Sequence, residues 1–118
     1  MYSVTQAVIE WLNSSGYSAH SYPLKTLALP FVTVERTGGY VEDLVDHPTL
    51  AVQTWAETEA EAEQAAIEIR NNATIGTLPS GVNRMAVNAG PYPFWDEETR
   101  CPRYQVVFDA TCQLIANS

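Results

Sequence analysis

The sequence predicts an α+β domain in which an antiparallel or mixed sheet is flanked by two helices, in the order α-β-β-β-β-α-β-β. Three observations lead there. The run Phe31 to Ala56 is rich in aromatic and β-branched residues and is punctuated by Gly38-Gly39 and Asp46-His47-Pro48, the pattern of strands joined by tight turns. An alanine-rich, acidic segment then follows Thr58. Finally, Tyr104 to Ala116 alternates apolar and polar side chains with the period of two of a half-buried strand.

Taken in order, Val4, Ala7, Val8, Trp11 and Leu12 fall at i, i+3, i+4, i+7 and i+8, one apolar stripe of an amphipathic helix. Ser3 is placed to cap it, and Asn13-Ser14-Ser15-Gly16 to end it. Tyr17 to Tyr22 is expected to be extended, with Pro23 closing it and an irregular stretch leading to Pro30. Phe31 to Thr37 and Tyr40 to Val45 are expected as two strands turning at Gly38-Gly39, and Thr49 to Ala56 as a third entered through the Asp46-His47-Pro48 turn.

Thr58-Glu59-Ala60-Glu61 fits a capping box, with Glu57, Glu59, Glu61 and Glu63 near the positive end of the helix dipole. Ala62, Ala65, Ala66, Ile69 and Ala73 form the opposite stripe, small enough for the helix to lie close on a sheet, and Asn71-Asn72 and Gly76 end it. Val82 to Ala89 reads as a strand after the Leu78-Pro79-Ser80-Gly81 turn. The last strand places Val106, Phe108, Ala110 and Cys112 on its core face.

With 118 residues and 46% hydrophobic content, the chain fits one domain spanning residues 1–118. A net charge of −8 repels nucleic-acid phosphates, which argues against direct nucleic-acid binding. The N-terminus lacks the basic region and apolar run of a signal peptide, and no window approaches the ~18 apolar residues of a membrane span. A cytosolic site of synthesis is therefore expected, with Cys101 and Cys112 as reduced thiols.

Catalytic chemistry finds little support in the residues. His20, His47, Cys101 and Cys112 follow no metal-ligand spacing. Cys101 and His47 stand in no recognisable nucleophile and base pattern, and Gly38-Gly39 lacks the context of a phosphate loop. No cofactor, metal or catalytic residue is expected. The long segment Tyr92-Pro93-Phe94-Trp95-Asp96-Glu97-Glu98 stands out instead, since three aromatics beside three acids, with Pro93 inside and Pro91 just before it, are of the kind enriched at protein interfaces. The competing reading makes Phe94 and Trp95 a lid on their own core.

An N-terminal helix, Pro30-Phe31-Val32-Thr33-Val34-Glu35-Arg36-Thr37-Gly38-Gly39, then Asp46 and Pro48, Val52-Gln53-Thr54-Trp55-Ala56, a helix after Thr58, and Pro102-Arg103-Tyr104-Gln105 opening the last strand follow one another in this short chain. In that order the chain resembles the tail-terminator (tail-completion) proteins of long-tailed bacteriophages and prophages. The resemblance implies a non-enzymatic structural virion protein. Such a protein forms a ring, commonly of six copies, that caps the finished tail tube and offers a head-tail joining surface to the connector. Its implied partners are its own copies, the tail-tube protein and the head-tail connector, with DNA only passing through the lumen, no membrane, and residence in the host cytoplasm and then the virion neck. Tyr92, Phe94, Trp95, Asp96, Glu97 and Glu98 are then candidate interface residues, with Arg36, Arg100 and Arg103 candidates for pairing with acids across subunits. A head-closure or other connector protein is the structural alternative. A small intracellular ligand-binding or enzymatic α+β domain is the alternative from another class, to be distinguished by an apolar pocket with convergent polar groups.

Overall fold

Ser3 accepts a hydrogen bond from the Gln6 amide at 3.2 Å and starts helix α1 (Val4–Ser14) where the apolar stripe begins. The computed structural model describes residues 2–23, 28–94, 98 and 100–113. At the other end of α1, Gly16 takes a φ of 97°, and the Tyr17 and Gly16 amides donate to the Leu12 and Asn13 carbonyls. That pair of bonds is the left-handed glycine stop anticipated from Asn13 to Gly16.

The extended segment expected at Tyr17 to Tyr22 contracts to strand β1 (Ala19–His20), which pairs in parallel with Val32 and Thr33. The sheet is therefore mixed.

A larger correction concerns the next strands. Phe31 to Thr37 and Tyr40 to Val45 are not two strands around a glycine turn but one, β2 (Phe31–Glu42), and the Asp46-His47-Pro48 segment lies inside its partner, β3 (Val45–Trp55). The element order is α-β-β-β-α-β-β, one strand fewer than the sequence reading. Asp43 and Leu44 make the reversal, with φ of 52° and 62°, the two left-handed residues a two-residue hairpin requires. Gly38 and Gly39 instead pair with Thr49 and Pro48, just after Thr37, which is left without a partner where the ladder slips by one residue between Arg36 and Gly38. Pro48, without an amide hydrogen, is tolerated because the ladder to the next strand passes from Asp46 opposite Cys112 to Thr49 opposite Asp109.

Thr58 caps helix α2 (Glu59–Ile75), and its hydroxyl both accepts from the Glu61 amide at 3.1 Å and donates to the Glu61 carboxylate at 3.0 Å. Thr58→Ala is expected to cost about 1 kcal/mol, read as a lowered urea midpoint with unchanged slope. Gly76 ends the helix as anticipated.

Strand β4 (Val82–Pro93) runs four residues beyond its expected end at Ala89, and β5 (Arg103–Gln113) pairs with it as far as Tyr92 opposite Gln105 and Pro93 opposite Tyr104. Gly90 permits this extension: its φ is 96°, and an added Cβ would stand 2.5 Å from the Gln105 carbonyl oxygen. The expected course of the last strand beyond Gln113 lies outside the described residues.

The sheet order β1-β2-β3-β5-β4 puts β3 and β5 in the middle. Both helices cover one face, where Val8 and Leu12 of α1 and Ala66 and Ile69 of α2 meet Val32, Val34, Leu50, Val52, Val106 and Phe108. Each large aliphatic or aromatic side chain buried there contributes about 1.5–3 kcal/mol. Ala62, Ala66 and Ala73 let α2 approach closely enough for the buried Thr54 hydroxyl to reach the Ala62 carbonyl at 2.7 Å. Trp11 Nε1 and the Tyr2 hydroxyl tie α1 to the α2–β4 connection through the Thr77 and Ser80 carbonyls.

Tyr17 packs at the edge of this core with its hydroxyl donating to Glu68 at 2.9 Å. Burial, and then the Glu68 carboxylate, push its phenol up to about 12. A raised phenol pKa stabilises the fold fully below the ordinary value near ~10, and that stability is lost as pH rises through about 12. Melting temperature should therefore fall between about pH 9 and about pH 11.5, and by less in Tyr17→Phe.

Candidate interaction surface

The face of the sheet opposite the helices carries the side chains that alternate with the core set: Phe31 and Thr33 of β2, Gln53 and Trp55 of β3, and Arg103 and Gln105 of β5. Here the structure brings two of the sequence candidates together. The Arg103 guanidinium lies between two rings, 4.3 Å from the Phe94 centroid and 4.5 Å from that of Trp55. Trp55 in turn stacks on Phe31 at 5.4 Å and 15°. Hydrogen bonds fix the column from the sides. Arg103 Nε donates to the Phe94 carbonyl at 2.8 Å, Trp55 Nε1 to the Thr33 hydroxyl at 3.1 Å, and Gln53 to Gln105 at 2.7 Å. Gln105 donates onward to the Tyr92 hydroxyl, so Tyr92 belongs to the sheet network rather than to a loop.

Phe94 is 39% exposed and covers Arg103 from outside, so it serves as lid and surface at once. Trp95, Asp96 and Glu97 lie outside the described residues. Glu98 and Arg100 are exposed, Arg100 with a φ of 54°.

Arg36 sits on the helix-covered side, where its guanidinium holds both carboxylate oxygens of Asp46 at 2.7 and 2.8 Å within the same chain. That doubly hydrogen-bonded partner is the main reason its pKa is raised. The residues weighed for metal or nucleophilic chemistry are dispersed. His20 bonds Ser18, His47 stacks on Tyr40 at 4.5 Å, and the Cys101 thiol reaches the Ala56 carbonyl. Cys112 is buried, and that burial pushes its thiol up. Among the described residues no three His, Cys, Asp or Glu side chains converge as metal ligands, and no helix is long and apolar enough to cross a membrane.

No protein-family model matches the chain, and no curated protein matches it.

One surface escaped the sequence reading. Beyond Val34 every β2 residue is exposed, whereas its partner β3 stays paired with β5 and keeps Asp46, Pro48 and Leu50 buried, so the outer part of β2 with the hairpin tip forms an exposed arm along the sheet edge. Its far end shows Tyr40, Val41 and Leu44 at 60, 56 and 61% exposure. The one signal for it was the adjacent Glu42 and Asp43 inside an expected strand, a pair that suits a solvated turn. A cleft of about 620 Å³ lies at the other end of the same hairpin, between α2 and the start of β2, lined by Tyr17, Pro30, Phe31, Trp55, Gln64 and Glu68 among others.

Proposed function

We propose that this chain is an assembly subunit of a phage tail neck, a tail terminator whose copies form a ring, of the six-fold kind its resemblance implies, on the end of the finished tail tube and present a joining surface to the head connector. The observation that carries the reading is the arm. An edge strand with Tyr40, Val41 and Leu44 exposed at and near its turn has apolar surface to cover, and a neighbouring subunit or tube end would cover it. The order of motifs from the N-terminal helix to Pro102-Arg103-Tyr104-Gln105 supports the same assignment. Charge adds a further argument. At −8 per chain, free subunits repel one another until a complementary surface offsets that repulsion, and a ring of them lines a lumen from which DNA slides without sticking.

The test is light-scattering mass over a concentration series, alone and with purified tail-tube protein, followed by negative-stain imaging. Rings, or density capping tube ends, are expected. A monomer that ignores tubes but binds the connector would shift the assignment to head closure. The cleft beside Tyr17 and Glu68 is the observation favouring a ligand-binding domain. That reading predicts saturable small-molecule binding that Trp55 fluorescence reports, with no tube binding at all.

A further inference from the structure

We propose that the two open edges of the sheet pair with each other between copies of this chain, the outer edge of the β2 arm on one protomer against β4 on the next. The inference rests on the ring reading above and names the surfaces that build the ring. At one edge, β1 covers β2 only at Val32 and Thr33, and among the described residues no strand pairs with the outer side of the arm from Val34 to Glu42. At the other edge, among the described residues, β4 pairs only with β5. Unpaired edges of this length are templates for another strand unless something blocks them.

Direction and height both fit. Following the register across the sheet, Val41 is level with Asp46, Cys112 and Val82, and Glu35 is level with Ala51, Val107 and Ala89. The two free edges therefore occupy the same stretch of the sheet. Three antiparallel steps separate β2 from β4, so the two strands run in opposite directions. A rotation about an axis along the strands then sets β4 of one copy antiparallel to β2 of the next. Because the paired edges differ, the contact is heterologous, the kind that closes into rings.

Charge selects this partner over the alternative within the same molecule. From Val82 to Pro93 the chain carries one charge, the exposed Arg84. The arm carries exposed Glu35, Glu42 and Asp43, while Arg36 is neutralised by Asp46. The β4 edge also carries apolar surface of its own, Val87 being 39% exposed and level with Leu50 and Arg36 across the sheet. The cleft at the other end of the hairpin suits the arm less well, because Glu61 and Glu68 on its wall repel Glu42 and Asp43.

Two surface variants of the full chain test the pairing. Arg84→Glu with Val87→Glu blocks the β4 edge, and Val41→Lys with Glu42→Lys blocks the arm. Each should weaken self-association at least about tenfold, with circular dichroism and melting temperature close to wild type. Mixed in equal amounts, they should recover self-association, because one intact arm meets one intact edge and at the other contact the introduced lysines face the introduced glutamates; a mixture that associates no better than either variant alone would count against the pairing. Wild-type rings together with variants that still form rings would overturn the edge pairing and leave the ring reading standing. Variants that each dimerise alone would also overturn it, since that requires a self-complementary surface. A wild type that stays monomeric at every concentration and with tubes present would overturn both.

Discussion

Trp55→Ala is expected to destabilise the domain by about 3–5 kcal/mol, and Trp55→Phe by clearly less. Trp55 is 3% exposed although it projects from the face of the sheet opposite α1 and α2. Its burial is made by other side chains, Phe31 stacked on it at 5.4 Å and the Arg103 guanidinium 4.5 Å from its ring centroid. Truncation to alanine would remove the large apolar area, the cation–π contact and the donor to the Thr33 hydroxyl together. Phenylalanine retains a ring between Phe31 and Arg103 and loses mainly the donor, which a net hydrogen-bond contribution of about 1 kcal/mol prices. In thermal melts the alanine variant should fall by roughly 12–20 °C. An alanine variant within about 3 °C of wild type would mean that Phe31, Arg103 and Phe94 hold the column without its centre.

This column also shows where the sequence stopped being legible. Its members stand at 31, 55, 94 and 103, and no local pattern says that four residues so far apart share one stack. Periodicity assigned Phe31 and Trp55 to strands but not to the face away from the helices. Features decided by neighbouring residues were read correctly: the Ser3 and Thr58 caps, the Gly16 and Gly76 stops, and the alternation from Val106 to Cys112 all lie where the sequence put them. Turn placement failed because it was a competition. Gly-Gly is the stronger turn signal, yet the reversal went to Asp43 and Leu44, a leucine in a left-handed conformation that few leucines adopt. The long pairing from Phe31 opposite Trp55 to Glu42 opposite Val45 outweighs the local cost. The same competition extended β4 through Gly90 and Pro91 to Tyr92, converting an expected interface loop residue into a member of the sheet network.

The arm and the column have different standing in function. Arg103 and Tyr92, expected at an interface, are engaged within the chain by Phe94, Trp55 and Gln105, and Arg36 by Asp46. Exposed apolar surface instead collects at Tyr40, Val41 and Leu44, which the sequence placed in an ordinary strand. A side chain already satisfied by its own chain gains little from a partner, whereas an exposed apolar one gains by being covered. Substitutions at Tyr40, Val41 and Leu44 are accordingly expected to act on assembly, and those at Arg103 on the fold.

Gly39→Val is expected to cost at least about 2–3 kcal/mol, whereas Gly38→Val should cost less than about 1 kcal/mol. The two glycines look equivalent in sequence, and as a hairpin turn both would need positive φ. In the fold only Gly39 has it, at 116°, and its ideal Cβ would stand 2.2 Å from the His47 carbonyl oxygen and 2.7 Å from the Pro48 Cα. Both are backbone atoms of the paired strand, so no side chain can swing aside to relieve the contact. Gly38 meets nothing within 4 Å, and a β-branched residue suits its extended backbone. Since β2 is an exposed edge strand beyond Val34, the strain at Gly39 should separate it from β3 from there to the tip, where Tyr40 stacks on His47. Hydrogen exchange should show faster exchange confined to the arm amides, and a variant misfolded there should lose ring formation before the core strands β3 and β5 lose protection. Equal behaviour of the two valine variants would mean that the close approach of Gly39 to His47 and Pro48 does not constrain the arm.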